Sequence, residues 1–297
     1  MRRHDMEGEQ EKALLGADGV KLCYRISRNP AARGTLVFIH GLASNMTRWS
    51  EFFAATTLYD SFNLIRLDLR GHGCSVVRGR INYRIWCDDL ARLLDAEKID
   101  RAIIIGHSLG AQVGIHFAHR YPERVSGLVF IDPVYRQALR GLLGRVRTWA
   151  PVVGVVATLA LWLNRLGLYR RHLPYRDLYQ LDLKTRDFLA THKDEDIARL
   201  YMSPLADLRF IPWTIFLQEL ALVVKELPVP ESLHVPVRVL LSAGATTSDR
   251  DVMRAILKRY PDCEVREIDA DHWLLTERPD EGREGIEVFC RALAETT

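Results

Sequence analysis

Cysteine is scarce in this chain and scattered: Cys23, Cys74, Cys87, Cys263 and Cys290 show neither C-x-x-C spacing nor clustering. That pattern argues against a disulfide framework and favours reduced thiols in a cytoplasmic protein. Residues 1–12 are charged and lack the apolar core of a secretory signal, so they read as a loose N-terminal tail. A formal net charge of +3 is too small to point to nucleic acid, and no such partner is expected. No internal repeat or low-complexity tract appears. Nor is there a full-length membrane span. The uncharged run Thr148–Asn164, interrupted by Pro151 and Gly154, falls short of the roughly 20 residues required.

What is present is enough apolar material for a large core, 48% of 297 residues, organised as one domain or one domain with an insertion. Short β-branched runs read as strands at Val20–Ile26, Thr35–Ile39, Phe62–Asp68, Ala102–Ile105 and Gly127–Ile131. Helical periodicity separates them at Tyr83–Ile99, built on Ile85, Trp86, Leu90, Leu93 and Leu94, and again at Ala111–Tyr121. Strands alternating with helices predict a mostly parallel sheet covered on both faces. The alternation stops at Tyr135. Only helical runs follow until about Pro230, punctuated by Pro151, Pro174, Pro204 and Pro212. Then strand, helix and strand resume at Val235–Ser242, Val252–Tyr260 and Cys263–Ile268, and an amphipathic helix closes the chain at Pro279–Ala294. The expected organisation is a tail at 1–12, a core at 13–134 and 231–297, and a helical cap at 135–230.

The cap has its own chemistry. From Pro133 to Arg176 it carries eight arginines, no lysine and no acidic residue. A helix packing its apolar face over the core is one reading. A lid that rests peripherally on an anionic membrane or admits acyl chains is the other, since arginines flank the apolar run.

The chemistry centres on Gly106-His107-Ser108-Leu109-Gly110, a G-x-S-x-G sequence between a predicted strand and a predicted helix. A serine on that sharp turn has its hydroxyl pushed out above the sheet, and the glycines relieve the crowding. Ser108 is therefore the candidate nucleophile. A serine hydroxyl needs a base, an orienting carboxylate and donors for the oxyanion. His272, just past the last predicted strand, is the base. His40, His72 and His107 lie in glycine-bounded loops and suit structural hydrogen bonds. For the acid, the loop after Val237–Ser242 offers Asp249, with Asp132 and Asp251 as alternatives; Asp249 is the first choice, although Ser248 and Asp249 also look like helix caps. The oxyanion donors are expected to be the backbone N–H groups of Leu109 and Leu42, with Ala43 in reserve.

At this point the residues resemble the α/β-hydrolase superfamily over nearly the whole chain. His40-Gly41-Leu42 is similar to its oxyanion loop and Asp68-Leu69-Arg70-Gly71-His72-Gly73-Cys74-Ser75 to its Asp-x-Arg-Gly-x-Gly-x-Ser loop. Gly106 to Gly110 resembles the nucleophile elbow and Asp271 to Pro279 the closing histidine segment. The resemblance implies an α/β fold with an eight-stranded, mostly parallel sheet and a cap between the sixth and seventh strands. It implies a serine hydrolase that cleaves a carboxylic ester or thioester of a hydrophobic small molecule or lipid through an acyl-enzyme, without metal or cofactor. A carbon–carbon bond hydrolase with the same triad, or a non-catalytic binding protein on the same fold, is the alternative. One departure stands out: where the family commonly has Gly-x-x-Asp after the seventh strand, Gly244 is followed at that spacing by Thr247.

Overall fold

The structure, a computed structural model, describes residues 8–192, 204–244 and 248–295. Residues 1–7 of the expected tail, and Thr247, lie outside the described residues.

Apolar runs that cannot face water on either side form the middle of the sheet. β3 (Thr35–Ile39), β5 (Ala102–His107), β6 (Val125–Ile131) and β7 (Val237–Ser242) are almost wholly buried. With β1 (Glu9–Leu15), β2 (Lys21–Ser27), β4 (Asn63–Leu67) and β8 (Cys263–Ile268) they make one eight-stranded sheet, order β1-β2-β4-β3-β5-β6-β7-β8. β2 pairs antiparallel with both neighbours, and every pair from β4 to β8 is parallel.

β1 corrects the expectation of a tail reaching residue 12. Its Glu-Gln-Glu-Lys composition suits a helix or a coil by propensity, but an edge strand tolerates charge. Tertiary pairing decides the matter. Arg66, buried in the sheet, bonds Glu9 at 2.7 and 2.5 Å, and Arg25 reaches the same carboxylate at 3.4 Å. A buried guanidinium without that partner would be strongly unfavourable.

Helices cover both faces. On one, α2 (Tyr83–Ala96) and α3 (Leu109–Arg120) bury Trp86, Leu90, Leu94, Val113 and Phe117. On the other, α1 (Ser50–Ala55) and α8 (Pro279–Glu295) bury Phe52, Phe53, Ile286 and Phe289 around Phe38 and Trp49. α7 (Arg250–Leu257) links β7 to β8.

Between β6 and β7 the described residues form α4 (Gly141–Arg165), α5 (Leu178–Thr191), a single turn at Pro204–Asp207 and α6 (Trp213–Val223). α4 runs straight through Pro151, which is exposed, so water can take up the carbonyl that lacks its i+4 donor. α6 carries Ile215 and Leu222 into the sheet core. Buried polar ties hold the cap to the loops beneath it: Arg48 bonds Asp182 of α5 at 2.5 and 2.7 Å, and Gln218 of α6 accepts from Ile81 N at 2.9 Å.

The passage from β5 into α3 depends on two close backbone approaches. A Cβ on Gly110 would sit 2.3 Å from the Ile39 carbonyl oxygen, and one on Gly106 would sit 2.4 Å from the Gly110 carbonyl. Neither obstacle is a flexible side chain. We predict that Gly110→Ala lowers stability by about 3 kcal/mol, at the upper end of overpacking costs. Gly154→Ala, where nothing lies within 4 Å of the added carbon, should raise it by about 0.8 kcal/mol through helix propensity. Thermal or urea unfolding of the two variants gives the comparison.

Candidate active site

Ser108 stands between β5 and α3 with φ +53° and ψ −115°, a conformation that a non-glycine residue holds only when its surroundings enforce it. Those surroundings are the glycine approaches and the Ser108 N–H, which donates to the Ile131 carbonyl of β6 at 3.0 Å. The hydroxyl is thereby aimed above the carboxyl ends of the parallel strands, where an open α/β sheet forms its crevice.

Two further strands deliver partners to the same edge. β8 leads to His272, whose Nε2 lies 3.0 Å from Ser108 Oγ; β6 leads to Asp132, whose Oδ2 lies 2.6 Å from His272 Nδ1. A carboxylate can only accept, so Nδ1 carries the hydrogen and Nε2 is left to accept from the serine. Asp132 adopts φ +42° and is 1% exposed. Its other oxygen accepts from Ser242 N at 3.0 Å and Ser242 Oγ at 2.7 Å, with Arg250 Nη1 at 3.3 Å. Burial pushes its carboxyl up, but the His272 hydrogen bond and charge, with Arg250 and Ser242, outweigh that and hold it below the usual carboxylate range.

The choice of Asp249 as the histidine's partner is therefore corrected to Asp132. Asp249 Oδ1 accepts from Asp251 N at 3.0 Å and Val252 N at 3.2 Å as the cap of α7, and its second oxygen pairs with Arg140. The capping role overrode the expected one. Asp251 also lies away from the histidine, fully exposed beside Arg254. Ser242 and Arg250 were missed, although Ser242 closes the apolar run of β7 and so had to end at this edge.

Leu109 opens α3, where the first helical N–H groups have no intrahelical acceptor and the dipole is positive. Across from it, Gly41 brings the β3 loop against the serine: a Cβ there would lie 3.4 Å from Ser108 Cβ. Leu42 and Ser108 line one cavity. The reserve donor, Ala43, is taken, because its N–H donates to Glu219 Oε2 of α6 at 3.1 Å. Glu219 is completely buried, and its Oε1 stands 2.9 Å from His72 Nε2. Burial depresses the His72 imidazole, but the Glu219 carboxylate more than compensates and its pKa is raised. A lone acid inside the apolar run Trp213–Val224 was the sequence signal for this contact.

The remaining loop histidines do structural work. His40 donates Nδ1–H to the Gly41 carbonyl at 2.8 Å and accepts from Leu69 N at 3.1 Å, and burial holds it neutral well below the ordinary range. His107 donates Nε2–H to the His272 carbonyl at 3.1 Å, which fixes the backbone at His272; burial, then the charge of His272, push it down to about 3.

Above Ser108 and His272 lies a cavity of about 130 Å³. Apolar side chains of the cap (Leu142, Leu143, Phe216, Leu220 and Val223) and Trp273 form much of its wall, with Arg48 and Asp207 at the polar side.

A family model described as the alpha/beta hydrolase fold matches residues 34–279. Among curated relatives, the dihydrolipoyllysine-residue acetyltransferase component of the acetoin cleaving system of Cupriavidus necator is 30% identical over 135 residues, 44% of this chain and 35% of that protein. Esterase YbfF of Escherichia coli is 32% identical over 106 residues, 36% of this chain and 41% of that protein. The match thus spans well under half the length of both relatives. A hydrolase structure from Pseudomonas aeruginosa PA01 superimposes with a TM-score of 0.67 at 20% identity, covering 94% of this chain and 98% of that one. The eight-stranded sheet has the fold these matches describe, and the chain belongs to the alpha/beta hydrolase fold family.

Proposed function

We propose that the protein is a serine hydrolase that cleaves a carboxylic ester or thioester of a hydrophobic small molecule or lipid. The observation that carries this reading is the chain of contacts from Ser108 Oγ through His272 to Asp132, at 3.0 and 2.6 Å, opening into a largely apolar cavity. The esterase name of the Escherichia coli relative supports the same reaction class.

Ser108 Oγ attacks the carbonyl carbon while its proton passes to His272 Nε2. The negative charge that develops on the carbonyl oxygen is met by the N–H groups of Leu42 and Leu109, each such donor contributing about 3 kcal/mol. Collapse of the tetrahedral adduct expels the alcohol or thiol, which takes the proton from His272, and leaves an acyl group on Ser108. A water then gives its proton to His272 and attacks the acyl carbon; the second collapse returns the proton to Ser108 and releases the acid. Asp132 holds Nδ1–H throughout and stabilises the imidazolium. Leu143, Phe216, Leu220 and Val223 give an apolar acyl or alcohol moiety its burial.

A fluorophosphonate probe should label the wild-type protein and leave Ser108→Ala unlabelled. An unlabelled wild type favours a binding protein instead, and equal labelling of Ser108→Ala removes the serine from the reaction. Among p-nitrophenyl esters, kcat/KM should rise with acyl length beyond acetyl; a preference for acetyl contradicts the apolar substrate.

Glu219 acts on the oxyanion loop as a positioning residue, through Ala43 N and His72. Glu219→Ala should lower kcat on the order of tenfold, equivalent to about 1.4 kcal/mol, with little change in KM, and Glu219→Gln should recover part of the loss by keeping the acceptor. The sign of the pH effect follows from the raised His72 pKa: the ion contact adds stability below the ordinary histidine range and loses it as pH rises through the raised value. The melting temperature of wild type should therefore lose its lead over Glu219→Gln as the pH is raised; a constant difference contradicts the ion contact.

A further inference from the structure

We propose that the outer face of α4 is a docking surface for an anionic lipid membrane, on which the protein rests with this helix lying in the plane of the interface. α4 has two apolar faces. Ala157, Ala160 and Asn164 are buried on the inner one, and Asn164 Nδ2 donates to the Arg78 carbonyl at 2.8 Å and to Thr214 Oγ1 of α6 at 3.0 Å. Among the described residues, the opposite face is exposed. Trp149 is 63% exposed and Trp162 58%, and Val152, Val155, Leu159 and Leu166 complete the stripe. Only 11% of the helix's most apolar window is buried, so this is not a core helix. An apolar stripe of that extent on a surface marks a contact with something apolar.

Charge selects the partner. Arg140, Arg145 and Arg147 stand at the start of α4 and Arg165, Arg170 and Arg171 at and beyond its end, with no acidic residue between Pro133 and Arg176. Phosphate headgroups supply the complementary charge. Trp149, Trp162 and Tyr169 are the residue types that settle at the headgroup level, and the Arg165 guanidinium lies 5.0 Å over the Trp162 ring. By length and composition alone α4, at 25 residues, could cross a membrane, which corrects the expectation from the 17-residue uncharged run. But its inner stripe is committed to α6 through Asn164 and Thr214, so the helix lies on the membrane rather than across it. Leu142, 44% exposed in the first turn of α4, also lines the cavity above Ser108. On the serine-hydrolase reading, which this last step rests on, an ester dissolved in the bilayer would reach the serine along an apolar path.

The test uses the whole protein carrying Ser108→Ala, so that its outcome is independent of catalysis, in flotation with vesicles of phosphatidylcholine alone or mixed with phosphatidylglycerol. Binding is expected to the mixed vesicles, weakening as salt is raised, and much less to phosphatidylcholine. Trp149→Ser combined with Trp162→Ser should bind at least tenfold more weakly, with an unchanged melting temperature showing that the fold is intact. Arg145→Gln should weaken binding on the order of fivefold, to the anionic vesicles only. Failure of the parent protein to float with anionic vesicles overturns the proposal, as does binding that the tryptophan pair does not affect. Self-association without vesicle binding, abolished by the same pair, would mean that a second copy of this chain covers the face instead. Bound protein that resists extraction by alkaline carbonate would mean that the helix spans the membrane.

Discussion

The hydrogen bond between His272 Nδ1 and Asp132 Oδ2, 2.6 Å long, joins residues 140 positions apart in sequence and depends on nearly everything else in the fold. It forms only because β6 and β8 run parallel, on either side of β7, so that both chains emerge at the same sheet edge. The carboxylate beneath it is held by Ser242 from the end of β7 and Arg250 from the start of α7. Three segments therefore converge on the one buried acid that follows β6. Burying that charge would be costly if any of those donors were missing. With them it is an anchor that fixes the imidazole for Ser108.

The cap contributes in a different way. Glu219 of α6 is buried among apolar neighbours, yet it reaches the Ala43 N–H and His72 in two loops that border the serine. Arg48 meets Asp182 of α5 and also lines the cavity. These contacts make the cap part of the site rather than a cover laid over it. The Glu219 contact also takes up the Ala43 N–H, which leaves Leu42 as the proposed donor from this loop. The outer surface of the cap is another matter. α4 gives its inner stripe to α6 and, among the described residues, leaves a second apolar stripe exposed.

Legibility in the sequence followed how local each signal is. The buried strands β3, β5, β6 and β7 could be read from β-branched runs because burial on both faces leaves no polar alternation. Ser108 was readable because its turn needs glycine at both flanks within five residues. Asp132 was harder to choose. A carboxylate after β6 and one after β7 reach similar points in space, and what separates them is not adjacent in sequence: Asp249 is used up by the Asp251 and Val252 amides and by Arg140. β1 was missed for the same kind of reason. Its charges suit solvent until Glu9 is seen to neutralise Arg66, a residue 57 positions away.

The most direct test of this account is the turnover of a p-nitrophenyl ester by Asp132→Asn and by Asp249→Asn, measured alongside their melting temperatures. If Asp132 holds the imidazole, its asparagine variant keeps the geometry but leaves the wrong tautomer, and kcat should fall on the order of 10⁴-fold. Asp249→Asn should stay within about threefold of wild type, because an asparagine still caps α7. A larger loss in Asp249→Asn than in Asp132→Asn would contradict the account.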